Sequence, residues 1–177
     1  AGDYIPPTYH PDGRTIAFSV LGSDSRSGIF SYDFEQECCL SYLSGGPWYD
    51  ISPTYSPDGR WIAFNTGRFG DAVPQVMLMP AEGGSAETLS PYEYGGGGYY
   101  TSPDWSPQGD LVAFHGRIDR RGRYHILVAN LEDDGRVLRQ LTSVGNNEAP
   151  TWAPDGRHLV FVGERSWGFG LMIVDVT

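Results

Sequence analysis

The sequence contains no lysine; all 12 of its basic residues are arginine. That excludes Schiff-base chemistry on a lysine and a P-loop lysine. Cysteine is nearly absent too, since Cys38 and Cys39 are the only two and are neighbours. No ordinary intrachain disulfide framework follows from such a pair. Successive strand residues face opposite ways, so the thiols are expected to act separately, one of them available to bridge to another molecule in an oxidising compartment. No apolar run approaches the ~20 residues of a membrane span. The formal net charge of −10 argues against nucleic acid, whose phosphates need clustered cations. Sustained helical periodicity with caps is missing, and so is the G-x-S-x-G of a hydrolase nucleophile elbow. A first residue Ala1 reads as a processed, exported chain, periplasmic or extracellular.

What is present is turn and strand material: 24 glycines, 13 prolines and many aromatics in 177 residues. One motif occurs four times, as PTYHPDGRTIAF, PTYSPDGRWIAF, PDWSPQGDLVAF and PTWAPDGRHLVF. Its turn prolines Pro11, Pro57, Pro107 and Pro154 are 46, 50 and 47 residues apart. A period of that length marks a repeat architecture, and short β-rich segments within each period specify a β repeat. In the second copy, SPTYS, WIAFNT, QVMLMP and AETLS read as four strands, with Pro-Asp-Gly as a tight turn. The second strands align Ile16, Ile62, Val112 and Leu159, then Phe18, Phe64, Phe114 and Phe161. Between them lie Ala17, Ala63, Ala113 and Val160 on the opposite face. A strand with one bulky and one small apolar face suits a sheet packed on both sides by similar sheets. The expectation is an all-β, four-bladed propeller over residues 1–177, with repeats at about 1–46, 47–96, 97–144 and 145–177.

The motif resembles the TolB-type β-propeller repeat, aromatic-Ser-Pro-Asp-Gly-x-x-Ile-Ala-Phe. The third copy departs from it, with Gln108 for the turn aspartate and Asp110 for the arginine. The resemblance covers essentially the whole chain and implies a propeller of WD-like repeats. TolB proteins carry a separate amino-terminal domain and six blades, whereas four repeats are read here, so their specific partner is not carried over.

Candidate chemistry is sparse. Tyr9, Tyr55, Trp105 and Trp152 share one repeat position and are read as wedges between blades. Asp12, Asp58 and Asp155 are read as turn formers. The four histidines do not recur at one position, and none has a second at metal-ligand spacing. His10 is placed near the axial channel. Among the innermost strands only Asp104 is acidic, and one carboxylate cannot serve as both acid and base of a glycosidase. The chain is therefore read as no enzyme, without a cofactor. Asp104 with threonine hydroxyls and carbonyls remains a weak candidate for Ca²⁺. The glycine-rich YEYGGGGYYTS segment is expected to present Tyr92, Tyr94, Tyr99 and Tyr100 at one rim, with folding back over the blade as the alternative.

The fourth copy ends after its third strand, which counts fifteen strands. Leu171, Met172, Ile173, Val174 and Asp175 then form an apolar edge expected to pair with another copy, closing a dimer or propagating a filament. Cys38 and Cys39 are expected in the outermost strand of the first blade, ahead of Leu40, which is aligned with Leu89 and Leu141. The first and fourth blades are expected to touch. The functional reading is a non-enzymatic, extracytoplasmic, self-assembling interaction propeller whose partner is itself or another protein. Two readings compete with it: a ligand-binding or hydrolytic propeller using the channel at Asp104 and His10, and a fragment of a larger TolB-like scaffold.

Overall fold

A computed structural model describes residues 7–22, 26–36, 40–70, 73–90, 98–118, 121–131 and 138–177. Tyr92, Tyr94, Cys38 and Cys39 lie outside these. The strands are β1 (Thr8–Tyr9), β2 (Thr15–Leu21), β3 (Ser27–Asp33) and β4 (Ser41–Tyr42) in blade 1. Blade 2 holds β5 (Asp50–Tyr55), β6 (Trp61–Thr66), β7 (Gln75–Pro80) and β8 (Glu87–Thr88). Blade 3 holds β9 (Tyr99–Trp105), β10 (Leu111–Arg117), β11 (His125–Asn130) and β12 (Leu138–Gln140). Blade 4 holds β13 (Asn147–Trp152), β14 (His158–Arg165) and β15 (Gly168–Asp175). Among the described residues each blade is an antiparallel meander in sequence order, four-stranded except the last.

The turn between the first and second strands has one construction throughout. Its glycine, at Gly13, Gly59, Gly109 and Gly156, has φ between 67 and 81°, a region that penalises any Cβ. Asp12, Asp58 and Asp155 accept from backbone N–H groups two or three residues on, as side chains that form turns do. In the third copy Asp110 takes over, accepting from the Ser106 hydroxyl at 2.7 Å. That is the job Asp58 performs for Ser56 at 2.6 Å.

Packing follows the alternation of faces. One core cluster joins Ala17, Ile29 and Leu43 to Ile62, Phe64, Met77 and Met79; a second joins Ala63, Val76 and Leu78 to Val112, Phe114 and Leu127. A third joins Ala113, Ile126 and Val128 to Leu159 and Phe161. Every junction thus seats the bulky Ile/Phe face of one blade on the small Ala face of the blade before it. Among the described residues no core cluster joins blade 4 to blade 1, so the expected contact between them is not seen. The three junctions set the turn from blade to blade, and they leave Tyr9, Leu171 and Ile173 in water. Nor do whole end strands lie open. Ala17 and Leu159 are fully buried on inner faces, while their neighbours Ile16 and Val160 lie half-buried on outer ones, because strand side chains alternate.

The fourth strands correct one alignment. Leu43, not Leu40, matches Leu89 and Leu141: each donates its N–H to the third-strand carbonyl of Ile29, Val76 or Ile126. The hydroxyl of the next residue, Ser44, Ser90 or Thr142, accepts the N–H of that same third-strand residue. Leu40 is exposed ahead of β4. Leu43 lies 10 residues after Asp33, between the 9 from Pro80 to Leu89 and the 11 from Asn130 to Leu141, whereas Leu40 lies only 7 after it.

Candidate interaction surface

At the innermost strands the blades are clasped by polar contacts. Ser52, Ser102 and Ala149 all have φ of 50 to 57°, a left-handed conformation that costs a residue with a Cβ, and each precedes a proline. The strand register shifts at this point in all three blades. The Asn65 carbonyl oxygen accepts the N–H of Ser102 at 3.1 Å, and its amide donates to the Thr101 hydroxyl. One junction further on, His115 Nδ1 accepts the N–H of Ala149 at 3.2 Å. Asn65 and His115 both follow the conserved-in-repeat phenylalanine, at a position held by Ser19 in blade 1 and Val162 in blade 4. Ser19 is shorter than either, and among the described residues its buried hydroxyl has no partner. Burial pushes the pKa of His115 down to about 4, so it stays neutral and its Nδ1 remains an acceptor.

The repeated aromatics act in the same seams. Trp105 Nε1 donates to the Thr54 carbonyl at 3.1 Å, and Trp152 Nε1 to the Asp104 carbonyl at 3.2 Å. Asp104 also accepts from the backbone N–H of Trp152 at 2.8 Å and from the Thr151 hydroxyl at 3.1 Å. Burial raises its pKa above the ordinary carboxylate value, and those two hydrogen bonds only partly offset the effect. The carboxylate therefore ties blade 3 to blade 4. His10 lies elsewhere, at the turn rim, with Nε2 3.0 Å from the Gly59 carbonyl and its ring edge-on to Tyr55. The structure does not join it to Asp104. Among the described residues no group of three or more His, Cys, Asp or Glu is placed to hold a metal ion.

The two described rim tyrosines part company. Tyr99 is half-buried, edge-on to Tyr124, with the Arg117 guanidinium 5.5 Å from its ring. Beside it, Tyr49, Ile51, Thr101 and Pro74 complete a cleft of about 410 Å³. Tyr100 is buried, edge-on to Phe114, and a Cβ at Gly116 would collide with its ring. It belongs to the core, so the rim expectation is corrected: neighbouring strand residues face opposite ways, and only one can reach the surface. The glycine in Gly116 is what admits the ring, a pairing that no local motif signals.

β15 separates in the same manner. Met172 and Val174 pack inward on the core shared with blade 3, whereas Leu171 and Ile173 point outward. Asp175 contributes no apolar edge; it takes Arg157 Nε at 2.8 Å and caps Thr177, and those contacts hold its pKa well below the usual range. By register Leu171 stands where Ile29, Val76 and Ile126 stand in the other blades. Those three hydrogen-bond to the Leu-Ser or Leu-Thr pair that follows the fourth strand; among the described residues no strand lies beyond β15.

No helix among the described residues is long and apolar enough to cross a membrane. No curated protein matches the sequence. The fold is similar to that of a putative TolB from Agrobacterium tumefaciens, with a TM-score of 0.79 at 21% identity over 97% of this chain and 58% of that one. TolB from Acinetobacter baumannii gives a TM-score of 0.78 at 20% identity, over 97% of this chain and 40% of that one. An oligogalacturonate lyase in complex with manganese gives 0.77 at 15% identity, over 97% and 50%. The chain thus spans about half the length of these proteins, and TolB proteins and a lyase share the fold. Residues 1–177 match the TolB beta propeller domain, and with its four blades, its recurring Pro-Asp-Gly turns and its bulky-on-small junctions the chain belongs to that family.

Proposed function

We propose that this propeller is a non-catalytic interaction module, working in the periplasm or outside the cell, that self-assembles through the unpaired edge of its last blade. Leu171 carries the reading. It is 78% exposed, and by register its N–H and C=O match those that the residues just after the fourth strand serve in the other three blades. An edge of this kind, long and apolar, is a template for a strand of another chain. Asp104 and the neutral His115 are both committed to inter-blade hydrogen bonds, which supports a structural role for the polar groups nearest the axis. Hydrogen exchange tests the edge reading: the amide of Leu171 is expected to gain protection in concentrated protein relative to dilute protein. Equal exchange at both concentrations sinks it.

A channel site for a small ligand is the second reading, and the desolvated carboxylate of Asp104 is what favours it. An Asp104→Asn variant that keeps its fold yet loses a measured ligand would move the assignment to that reading.

A further inference from the structure

The seam between blades 3 and 4 is filled by an arginine of this chain, and the seam between blades 2 and 3 is not. In β12, Arg139 pairs with Val128 and so lies on the face of blade 3 that meets blade 4. Its guanidinium donates to the carbonyl of Val176, a buried residue just after β15. One seam earlier, the equivalents are Glu87 and Leu131. Glu87 of β8 pairs with Leu78 as Arg139 pairs with Val128. The Leu131 N–H donates to the Asp110 carbonyl at 2.9 Å, and the Val176 N–H donates to the Arg157 carbonyl at 2.9 Å. Asp110 and Arg157 hold one position of the repeat. Both arginine positions of the later seam, Arg139 and Arg157, are therefore acidic in the earlier one.

With that reversal, the seam between blades 2 and 3 holds a cleft of about 400 Å³. Its floor is apolar: Leu78 and Trp105 are 4% and 6% exposed, and Leu131 packs on the same core cluster. Trp61, 37% exposed, lines it as well. The charged lining is mainly acidic. Asp58, Glu87 and Asp110 stand there with one cation, Arg60, which Asp58 already holds at 2.6 Å. Asp110 accepts from the Ser106 hydroxyl at 2.7 Å, and among the described residues no cation pairs with it. An anion beside an apolar floor and a backbone carbonyl is the setting in which Arg139 sits one seam on, less the arginine.

We infer that this cleft receives an arginine side chain of a partner protein, seated as Arg139 is seated in the next seam. Its guanidinium is met by the Asp110 carboxylate and the Leu131 carbonyl, and its stem lies along Leu78 and Trp61. Arginine suits the cleft better than lysine does, because a planar fork can donate to a carboxylate and a carbonyl at once and can stack on an indole. The net charge of −10 draws a cationic partner toward the chain, and the cleft gives that attraction a fixed address. Both walls belong to internal blades, so the site depends neither on the β15 edge nor on an outer blade face.

The probe that tests it is N-acetylarginine amide, read by the indole N–H signal of Trp61 in proton–nitrogen NMR of the whole chain. Millimolar probe at physiological salt should shift that signal to saturation. The citrulline analogue, alike in shape but uncharged, should bind about tenfold more weakly, as expected on losing a charge-assisted hydrogen bond. Asp110→Asn, which can still accept from Ser106, should lose a similar factor. Glu87→Arg puts an arginine of the chain itself at the register position of Arg139 and should exclude the probe. A shift that never saturates overturns the inference, as does equal binding of the arginine and citrulline probes. An Asp110→Asn chain that binds as tightly as wild type overturns it too. So do equal shifts at Trp167, which is 67% exposed and outside the cleft, since they would mark general attraction of a cation to an acidic chain. The citrulline comparison uses wild-type protein and decides the matter even where a variant fails to fold.

Discussion

Blades 2 and 4 are built from the same motif and have different fates. In blade 2 both faces of β6 are sealed: Ile62 and Phe64 on blade 1, Ala63 and Asn65 on blade 3. In blade 4, among the described residues, only the Leu159 and Phe161 face is sealed, and the other carries Val162, Leu171 and Ile173 toward water. The difference lies in the neighbours, not in the strand. A sheet is stable in the middle of a propeller because two junctions share the cost of ordering it, whereas an end blade has one.

The largest expected effect contrasts equivalent phenylalanines. Phe114→Ala empties a fully buried site and should cost about 3–5 kcal/mol, whereas Phe18→Ala, half-buried on the outer face of blade 1, should cost roughly 1–2 kcal/mol in the monomer. Urea denaturation at low protein concentration measures both; equal losses would mean that blade 1 is covered after all.

Acid comes next. His115 titrates at about 4 when folded against 6.5 for an ordinary histidine, so the unfolded chain takes up the proton first. Its contribution is intact above pH 6.5, declines as pH falls, and is fully lost below about 4, for a total of roughly 3 kcal/mol. His115→Asn, which retains an acceptor as Asn65 does, should flatten the slope between those pH values. Stability against pH, measured by denaturant midpoint in both proteins, gives the answer; parallel curves would assign the acid sensitivity elsewhere.

Ser90→Ala probes the end of a fourth strand. It strips the buried Val76 N–H of its acceptor and removes the donor to Gln75, and should cost about 1–3 kcal/mol by thermal or urea unfolding. No equivalent loss is available in blade 4, where that strand is missing among the described residues.

Asp104→Asn should have the smallest effect, within about 1 kcal/mol at pH 7. Burial disfavours the carboxylate more than its two hydrogen bonds favour it, and an amide oxygen can still accept from the Trp152 N–H. A large destabilisation would show that the charge itself holds blades 3 and 4 together.

Much of this was legible in the residues. β6 and β7 match WIAFNT and QVMLMP residue for residue, because alternation and a Pro-Asp-Gly turn are local signals that set the strand ends. The Leu-Ser/Thr pairs at Leu43, Leu89 and Leu141 recur as well, but two or three residues of strand are too little to show a period, so the residues alone do not separate Leu40 from Leu43. Tyr100 illustrates another limit: its burial depends on Gly116, a cross-strand partner sixteen positions away in the chain.

The sequence by itself determined the four repeats, their turns and the two-faced second strands. Those properties follow from backbone preference and side-chain alternation within a few residues. Only the tertiary structure decided which face of each blade is covered, that His115 and Asn65 clasp left-handed residues of the next blade, and that Tyr9 and Ile173 lie in water. The physical reason is that each junction joins residues about 50 positions apart, and the turn from blade to blade emerges from the volumes packed there, which no single repeat contains.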